Sequence, residues 1–298
     1  MPKILIVVDP EDREHRALNR IKEISTDAAS FKVDYYLQSP DGAKDASSVM
    51  AEIEIKKGWL SELVQPYIDL GYKIETEVLL FHRLYESIIK SADIFGAELV
   101  FKPLRRHQTL RTLIFTPTDW KLVRACPCPL LFVTHGNSIK GEPVMAAIDI
   151  ASVDAAHQEL NQVVLEQTQR LANVLNADVH LVHAYHGVAV SSQAALSDPL
   201  ANVPVMDRRK LQFAAAYDLA ASINIPQDRV HLGEGTADEV VNRCASEINA
   251  GVVVIGTVAR SGTAGLLIGN TAESVLEGAR CDVFVVKQAE FVSPVKVG

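Results

Sequence analysis

The chain repeats one plan twice, and this repeat limits its fold more than any other feature. The segment GAELVFKP at 96–103 corresponds to NAGVVVIG at 249–256, and the same offset of 153 residues aligns Cys128 with Cys281. Near the start of each half, a buried run ends in an acid, Asp9 in the first and Asp149 in the second. A constant offset of this kind indicates a duplicated domain. We therefore predict domains at 1–137 and 142–298, with the polar segment 134–143 as the linker between them.

Within each half, β-branched runs alternate with segments of helical periodicity. In the second half the predicted strands are 144–150, 178–185, 229–232, 252–256 and 282–287, and the predicted helices are 152–176, with Ser152 as its N-cap, 207–224, 236–249 and 270–279. Such alternation is typical of a parallel sheet with helices on both faces. The fold class is therefore α/β, with two tandem doubly wound parallel-sheet domains of about five strands and four helices each.

Ligands of such sheets bind beyond the carboxyl ends of the strands, where the strand order reverses. Asp149, Ala184 and Gly256 each lie at the carboxyl end of a predicted strand. We therefore expect them to meet at one crevice in the second half.

The composition narrows the class of protein. A net charge of −8 and a pI of about 5.6 give no field that would attract nucleic acid or an anionic membrane. No apolar stretch approaches the roughly 20 residues that span a bilayer, and the first apolar run is too short for a signal peptide. Four cysteines are typical of a reduced compartment. We predict a cytoplasmic protein with no nucleic-acid or membrane partner.

The stretch VVVIGTVARSGTAGLLIGNTAESVL at 252–276 places a strand, a glycine-containing loop and a helix in succession. Loops of this kind bind phosphates, because glycine lets the backbone come close and the first helical N–H groups point at the anion. The alternative is a loop that only connects the strand to the helix. Both interpretations stay open from the sequence alone.

These features resemble universal stress protein domains: a strand ending in Asp, a strand ending LVHAY, the stretch EGTADEVV and a glycine loop before the last helix. The resemblance covers nearly the whole chain, once per half, and is closest to the tandem type. In the family's motif two residues separate the first two glycines, nine separate the second from the third, and serine or threonine follows. Gly256 and Gly269 fit the first and third glycines. Ala259 and Asn270 replace the second glycine and the hydroxyl residue, and Thr271 follows.

The resemblance implies an adenine nucleotide α-hydrolase-like fold and a site for ATP with Mg²⁺. Asp149 would lie beside the adenine and ribose, and the backbone of Ala184 would contact the edge of the base. Asp149 would otherwise cap the next helix or accept from loop N–H groups.

The first half departs further from the motif, because all its glycine positions are lost. Pro103, Arg106, Thr116 and Pro117 stand at the four motif positions. We therefore expect no nucleotide site of the family's type there, and a structural role for Asp9. The basic run 102–111 either holds an anion, is solvated, or pairs with acids on the other half.

Three functions stay open. The first is a non-enzymatic stress-response protein that binds a small molecule in the second domain. The second is a carrier or sensor of an apolar or lipid-like ligand in the same crevice, with the segment 187–205 lining or covering it. The third is a partner-binding scaffold without a ligand. No motif for turnover is present, so we predict no enzymatic activity.

Other residues give weaker signals. CPCP at 126–129 favours core packing over metal or redox chemistry, since two thiols are too few for structural zinc. Strand alternation puts His183 on the opposite face from His180 and His186, so we expect no shared metal site. The resemblance further implies that the last strands of the two halves pair within the chain, and homodimerisation stays open.

Overall fold

The computed structural model describes residues 2–24, 29–40, 46–106, 113–152, 154–185, 205–257, 260–262, 265–267, 270–288 and 290–296, with the backbone alone at 106, 113, 205–208, 260–262, 265–267 and 270–271. The chain divides into two compact units. One consists of Met1–Ser138 with Val292–Gly298, and the other is Ile139–Phe291. In the first unit, Ser293 Oγ donates to the carbonyl of Ala125 at 2.8 Å.

The elements of the first unit alternate as the sequence predicts. In chain order they are β1 (Lys3–Val8), α1 (Arg16–Asn19), α2 (Ile21–Ile24), β2 (Ser30–Gln38), α3 (Ala46–Asp69), β3 (Lys73–Phe81), α4 (Leu84–Phe95), β4 (Leu99–Pro103), β5 (Arg105–Arg106), β6 (Leu113–Ile114), α5 (Pro117–Ala125) and β7 (Leu130–Val133). The parallel sheet has the order β3-β2-β1-β4-β7, and β5 and β6 form a small antiparallel ladder.

The second unit repeats this plan. Its elements are β8 (Val144–Ala147), α6 (Ala155–Leu175), β9 (Val179–Tyr185), α7 (Val205–Ser222), a 3-10 turn (Gln227–Arg229), β10 (Val230–Glu234), α8 (Ala237–Glu247), β11 (Val252–Gly256), β12 (Arg260–Gly262), β13 (Gly265–Leu267), α9 (Asn270–Gly278) and β14 (Asp282–Val286). The parallel sheet has the order β10-β9-β8-β11-β14, and β12 pairs with β13.

The two sheets share one strand order, which confirms the predicted fold class. The offset of 153 residues maps β4 onto β11 and α5 onto α9 from end to end. The central strands β1, β4, β8 and β11 are buried along nearly their whole length, as expected where helices cover both faces of a parallel sheet. In both sheets the order reverses beside the first strand, between β1 and β4 and between β8 and β11.

Two predicted boundaries beside Asp149 are wrong: β8 ends at Ala147 and not at Ile150, and the helix that follows begins later than predicted. Helix α6 begins at Ala155 with Asp154 as its N-cap residue, not at Ser152. The chain leaving β8 first makes a turn, in which the N–H of Ala151 donates to Asp149 Oδ1 at 3.1 Å. Because of this turn, the helix begins later in the sequence than predicted. The Asp154 carboxylate lies 2.7 Å from His157 Nδ1. Among the helices that the structure describes, none combines the length and apolar character needed to cross a bilayer.

Candidate functional site

Three of the predicted site residues lie at one edge of the second sheet. Ala147 at the end of β8 is level with Val182 in β9 and with Ile255 in β11. Asp149 lies two residues after Ala147, Ala184 two residues after Val182, and Gly256 one residue after Ile255. The strand register therefore brings the three residues to the same edge, where the strand order reverses, and that is where a ligand of such a sheet binds.

Asp149 is exposed at this edge, and neighbouring side chains hold its backbone in place. Asn161 in α6 accepts from the N–H of Asp149 at 3.0 Å and donates to its carbonyl at 2.7 Å. Asp149 Oδ1 accepts from the N–H of Ala151. The amide of Asn161 thus orients the turn, and Asp149 is exposed to solvent at the edge where a ligand is predicted to bind.

His183 is a second residue that positions this turn. It is buried in β9, and its Nδ1 lies 3.1 Å from the carbonyl of Ile148 and 3.4 Å from the N of Ile150. The tautomer with a proton on Nδ1 donates to the carbonyl, and the other tautomer accepts from the N–H. Sequence reasoning missed both Asn161 and His183, since nothing in a strand or helix pattern indicates a hydrogen bond to a distant turn.

The first glycine of the motif has a packing role. A Cβ at Gly256 would lie 2.5 Å from Cγ, 2.7 Å from Cδ2 and 2.9 Å from Cδ1 of Leu160. Carbon atoms in contact prefer about 3.5–4.0 Å. Leu160 is buried in α6, so its branched end already fills the space above the end of β11. Close packing of helix on strand is therefore sufficient to require glycine at this position.

The rest of the predicted phosphate loop is only partly visible. Ala259 and Gly269 lie outside the described residues, as does most of the segment 187–205 that we predict to line the crevice. Asn270 is the first residue of α9 and Thr271 the second, so the helix begins at the predicted residue. The amino end of α9 follows β11 as a phosphate-binding helix would, and its role in binding stays a prediction.

In the first half, the corresponding acid is already paired. Asp9 Oδ2 accepts from Arg105 Nε at 3.0 Å, and Asp9 Oδ1 accepts from the N–H of Glu11 at 3.0 Å. Arg105 Nη1 also lies 3.6 Å from the carboxylate of Glu11. Within the basic run, Lys102 and Arg105 thus pair with acids of their own half.

A buried ion pair lies at the amino end of α5 in the same half. Lys102 Nζ is 2.6 Å from Asp119 Oδ1, and both side chains are buried. Asp119 Oδ2 also accepts from the N–H and Oγ1 of Thr116, at 2.7 and 2.6 Å, and forms a capping box. A carboxylate therefore lies at the helix terminus where a phosphate would bind. The sequence TPTD carries this capping signal, which sequence reasoning overlooked.

Arg16 contacts the chain just beyond the carboxyl ends of two strands in the first half. It is buried, and its guanidinium donates to the carbonyls of Thr134 at 2.5 Å and Leu104 at 2.7 Å, and to Asp12 Oδ1 at 2.9 Å. These carbonyls follow directly after β7 and β4. The strand ends that a ligand would contact are therefore occupied by the chain's own side chain.

A cleft of about 340 Å³ lies at the other edge of the second sheet. It is bounded by the ends of α6 and α7 and by the start of β10, with Asn173, Asn224 and Arg229 among its lining residues. Arg229 Nη1 pairs with Asp178 Oδ1 at 2.8 Å. Because the amino ends of β9 and β10 border this cleft, it is separate from the predicted crevice.

Two histidines meet at that amino edge. His180 Nδ1 lies 2.9 Å from His231 Nε2, and the rings are nearly parallel at 10°. Burial lowers the pKa of both imidazoles, and the charge of His231 lowers that of His180 further. Within the part of the chain that the structure describes, no group of three or more His, Cys, Asp or Glu side chains is placed to hold a metal ion.

Comparison with known proteins gives one consistent result. The model of the universal stress protein family matches residues 1–134 and again residues 142–287. Universal stress protein E of Photorhabdus laumondii is 30% identical over 305 residues, with 98% of this chain and 97% of the relative covered. Universal stress protein E of Escherichia coli K12 is also 30% identical, with coverage of 99% and 96%.

A crystal structure of a Pseudomonas aeruginosa UCBPP-PA14 protein, described as a universal stress protein, gives a TM-score of 0.77 at 29% identity and covers 97% of this chain and 94% of its own. The chain belongs to the universal stress protein family. It carries two of the family's domains in tandem and is similar to universal stress protein E along nearly its whole length.

Proposed function

We propose that this chain is a non-enzymatic stress-response protein of the cytoplasm whose second half binds an adenine nucleotide with Mg²⁺. The ligand would lie at the carboxyl ends of β8, β9 and β11. Asp149 would accept hydrogen bonds from the ribose hydroxyls, and the backbone of Ala184 would contact the base. The first N–H groups of α9, at Asn270 and Thr271, would point toward the phosphates.

One difference between the halves carries this proposal. In the first half, Arg105 pairs with the strand-end acid, and Lys102 and Asp119 fill the helix terminus. In the second half, the offset of 153 residues puts uncharged residues at these positions: Val258, Ile255 and Ala272. Asp149 is exposed. At these aligned positions the second half thus lacks the charged residues that pair in the first half, and this difference supports a ligand at Asp149 and the amino end of α9.

The proposal is tested first on the protein purified without added ligand. The protein is denatured, and the released small molecules are identified by mass spectrometry. An adenine nucleotide supports the proposal, whereas a lipid or other apolar molecule supports the alternative of a carrier. If nothing is released, and ATP with Mg²⁺ does not raise the melting temperature, both ligand functions are wrong and a scaffold remains.

Matched variants locate the site. Asp149→Ala in the second half is compared with Asp9→Ala in the first, and Gly269→Arg with Thr116→Arg. We expect the second-half variants to lose the melting shift with ATP and the first-half variants to keep it. Equal losses in both halves would show that the first half also binds the nucleotide. Pairing of the last strands of the two halves, and homodimerisation, stay predictions.

A further inference from the structure

The turn between α5 and β7 brings two thiols into contact. Cys126 Sγ lies 3.5 Å from Cys128 Sγ, on either side of the exposed Pro127. A disulfide bond is about 2.05 Å long, so the sulfur atoms need to approach by only about 1.5 Å. Cys126 is the C-cap residue of α5 and has extended backbone angles, so the turn has already left the helix where the second thiol follows.

The two thiols differ in access. Cys126 is fully buried, with 0% of its surface exposed, whereas Cys128 is partly exposed. A small oxidant therefore reaches Cys128 first. The buried Cys126 is close enough to react with Cys128 once that residue is oxidised. An accessible cysteine beside a resolving cysteine is the usual arrangement of a thiol redox site.

The repeat supplies an internal comparison. Cys281 occupies the position of Cys128 in the second half, but Ala279 stands where Cys126 would be. Burial raises the pKa of the Cys281 thiol to about 12, so this cysteine is a thiol at neutral pH. Burial also raises the pKa of Cys244. The dithiol is therefore specific to the first half, the half whose crevice is filled by its own ion pairs.

We propose that Cys126 and Cys128 form a reversible redox site, in which a hydroperoxide converts the two thiols to an intramolecular disulfide. The thiolate of Cys128 attacks the peroxide oxygen, the O–O bond breaks, and the leaving alkoxide or hydroxide takes up a proton. Cys128 is then a sulfenic acid. The Cys126 thiol attacks its sulfur, the S–S bond forms, and the sulfenic oxygen leaves as water with the Cys126 proton. A dithiol reductant reverses the reaction by thiol–disulfide exchange.

The experiment uses the reduced full-length chain with hydrogen peroxide at near-equimolar amounts. After exposure, accessible thiols are blocked with N-ethylmaleimide, the chain is denatured, and peptides are mapped by mass spectrometry. We expect two of the four thiols to be lost to one intramolecular disulfide between Cys126 and Cys128, with Cys244 and Cys281 still reduced. Dithiothreitol should restore all four thiols.

Three variants define the order of events. Cys126→Ser should stop at the sulfenic acid of Cys128, which dimedone traps. Cys128→Ser should leave Cys126 reduced, and Cys281→Ser should oxidise like the wild type. Peptide mapping of the wild type decides alone if a variant fails to fold. Both thiols still reduced, or a disulfide to any other cysteine or another chain, would overturn the proposal, and neither result bears on nucleotide binding by the second half.

Discussion

The contact between Gly256 and Leu160 gives the sharpest test of why this glycine is present. Gly256→Ala places a methyl group 2.5–2.9 Å from the branched end of Leu160, which is buried and would have to shift to accommodate it. Overpacking of this kind costs about 1–3 kcal/mol. For a unit of this size that corresponds to a fall in melting temperature of roughly 2–12 °C. Thermal and urea unfolding of the full chain, followed by circular dichroism, measure this loss.

A double-mutant cycle separates packing from other causes. Leu160→Ala alone should cost about 2–5 kcal/mol, because it leaves a cavity in the core. In that background the methyl group of Gly256→Ala enters the cavity, so it should cost little or even stabilise the protein. As a control, Gly58→Ala in α3 meets nothing within 4 Å and should stabilise by about 0.5–1 kcal/mol. An equal cost of Gly256→Ala in both backgrounds would refute the packing argument.

Further expectations concern buried charges and histidines. Burial raises the pKa of Asp34 to about 6, so ionisation of this carboxyl should lower the free energy of unfolding as the pH rises from about 4 to 6. Asp34→Asn removes this loss and should gain up to about 3 kcal/mol relative to the wild type across that range, measured as the difference between two pH–stability curves. Lys102→Ile strands the buried carboxylate of Asp119 and should cost about 3–5 kcal/mol in urea unfolding. The double variant with Asp119→Ala, which installs the residues of the second half, should recover most of this loss, and no recovery would mean that the ion pair is not what the lysine provides. Burial lowers the pKa of His180 and His231, so the free energy of unfolding should be highest above pH 6.5 and fall as the pH drops below it. His231→Gln should raise the pKa of His180 in an NMR titration, and an unchanged pKa would contradict their coupling.

The repeat made most of the fold predictable. An offset read from a few aligned residues predicts that β4 corresponds to β11 and α5 to α9, and the structure agrees at both ends of each element. Most strand ends could be predicted to within two residues because apolar runs in a parallel sheet stop where burial stops, but β8 ends at Ala147, three residues before its apolar run does. The register of β8, β9 and β11 then follows, and with it the common edge of Asp149, Ala184 and Gly256.

The contacts of the site could not be predicted, because they join residues far apart in the sequence. Arg16 reaches the carbonyl of Leu104, 88 residues away, and His183 contacts the turn after β8, 35 residues away. Neither helical nor strand periodicity carries information on such partners. At Gly256 the motif alone does not separate two roles, since a glycine needed for a phosphate and one needed for packing against Leu160 look identical in sequence.

In the first half, the chain's own Lys102 and Asp119 occupy the helix terminus at which a ligand would bind. A domain that binds a free molecule is stabilised according to the concentration of that molecule, whereas one that binds its own carboxylate is not. If the second half binds a nucleotide, the stabilities of the two halves therefore respond differently to the nucleotide concentration in the cell. The stability of the second half would then depend on the nucleotide concentration, whereas the stability of the first half would not.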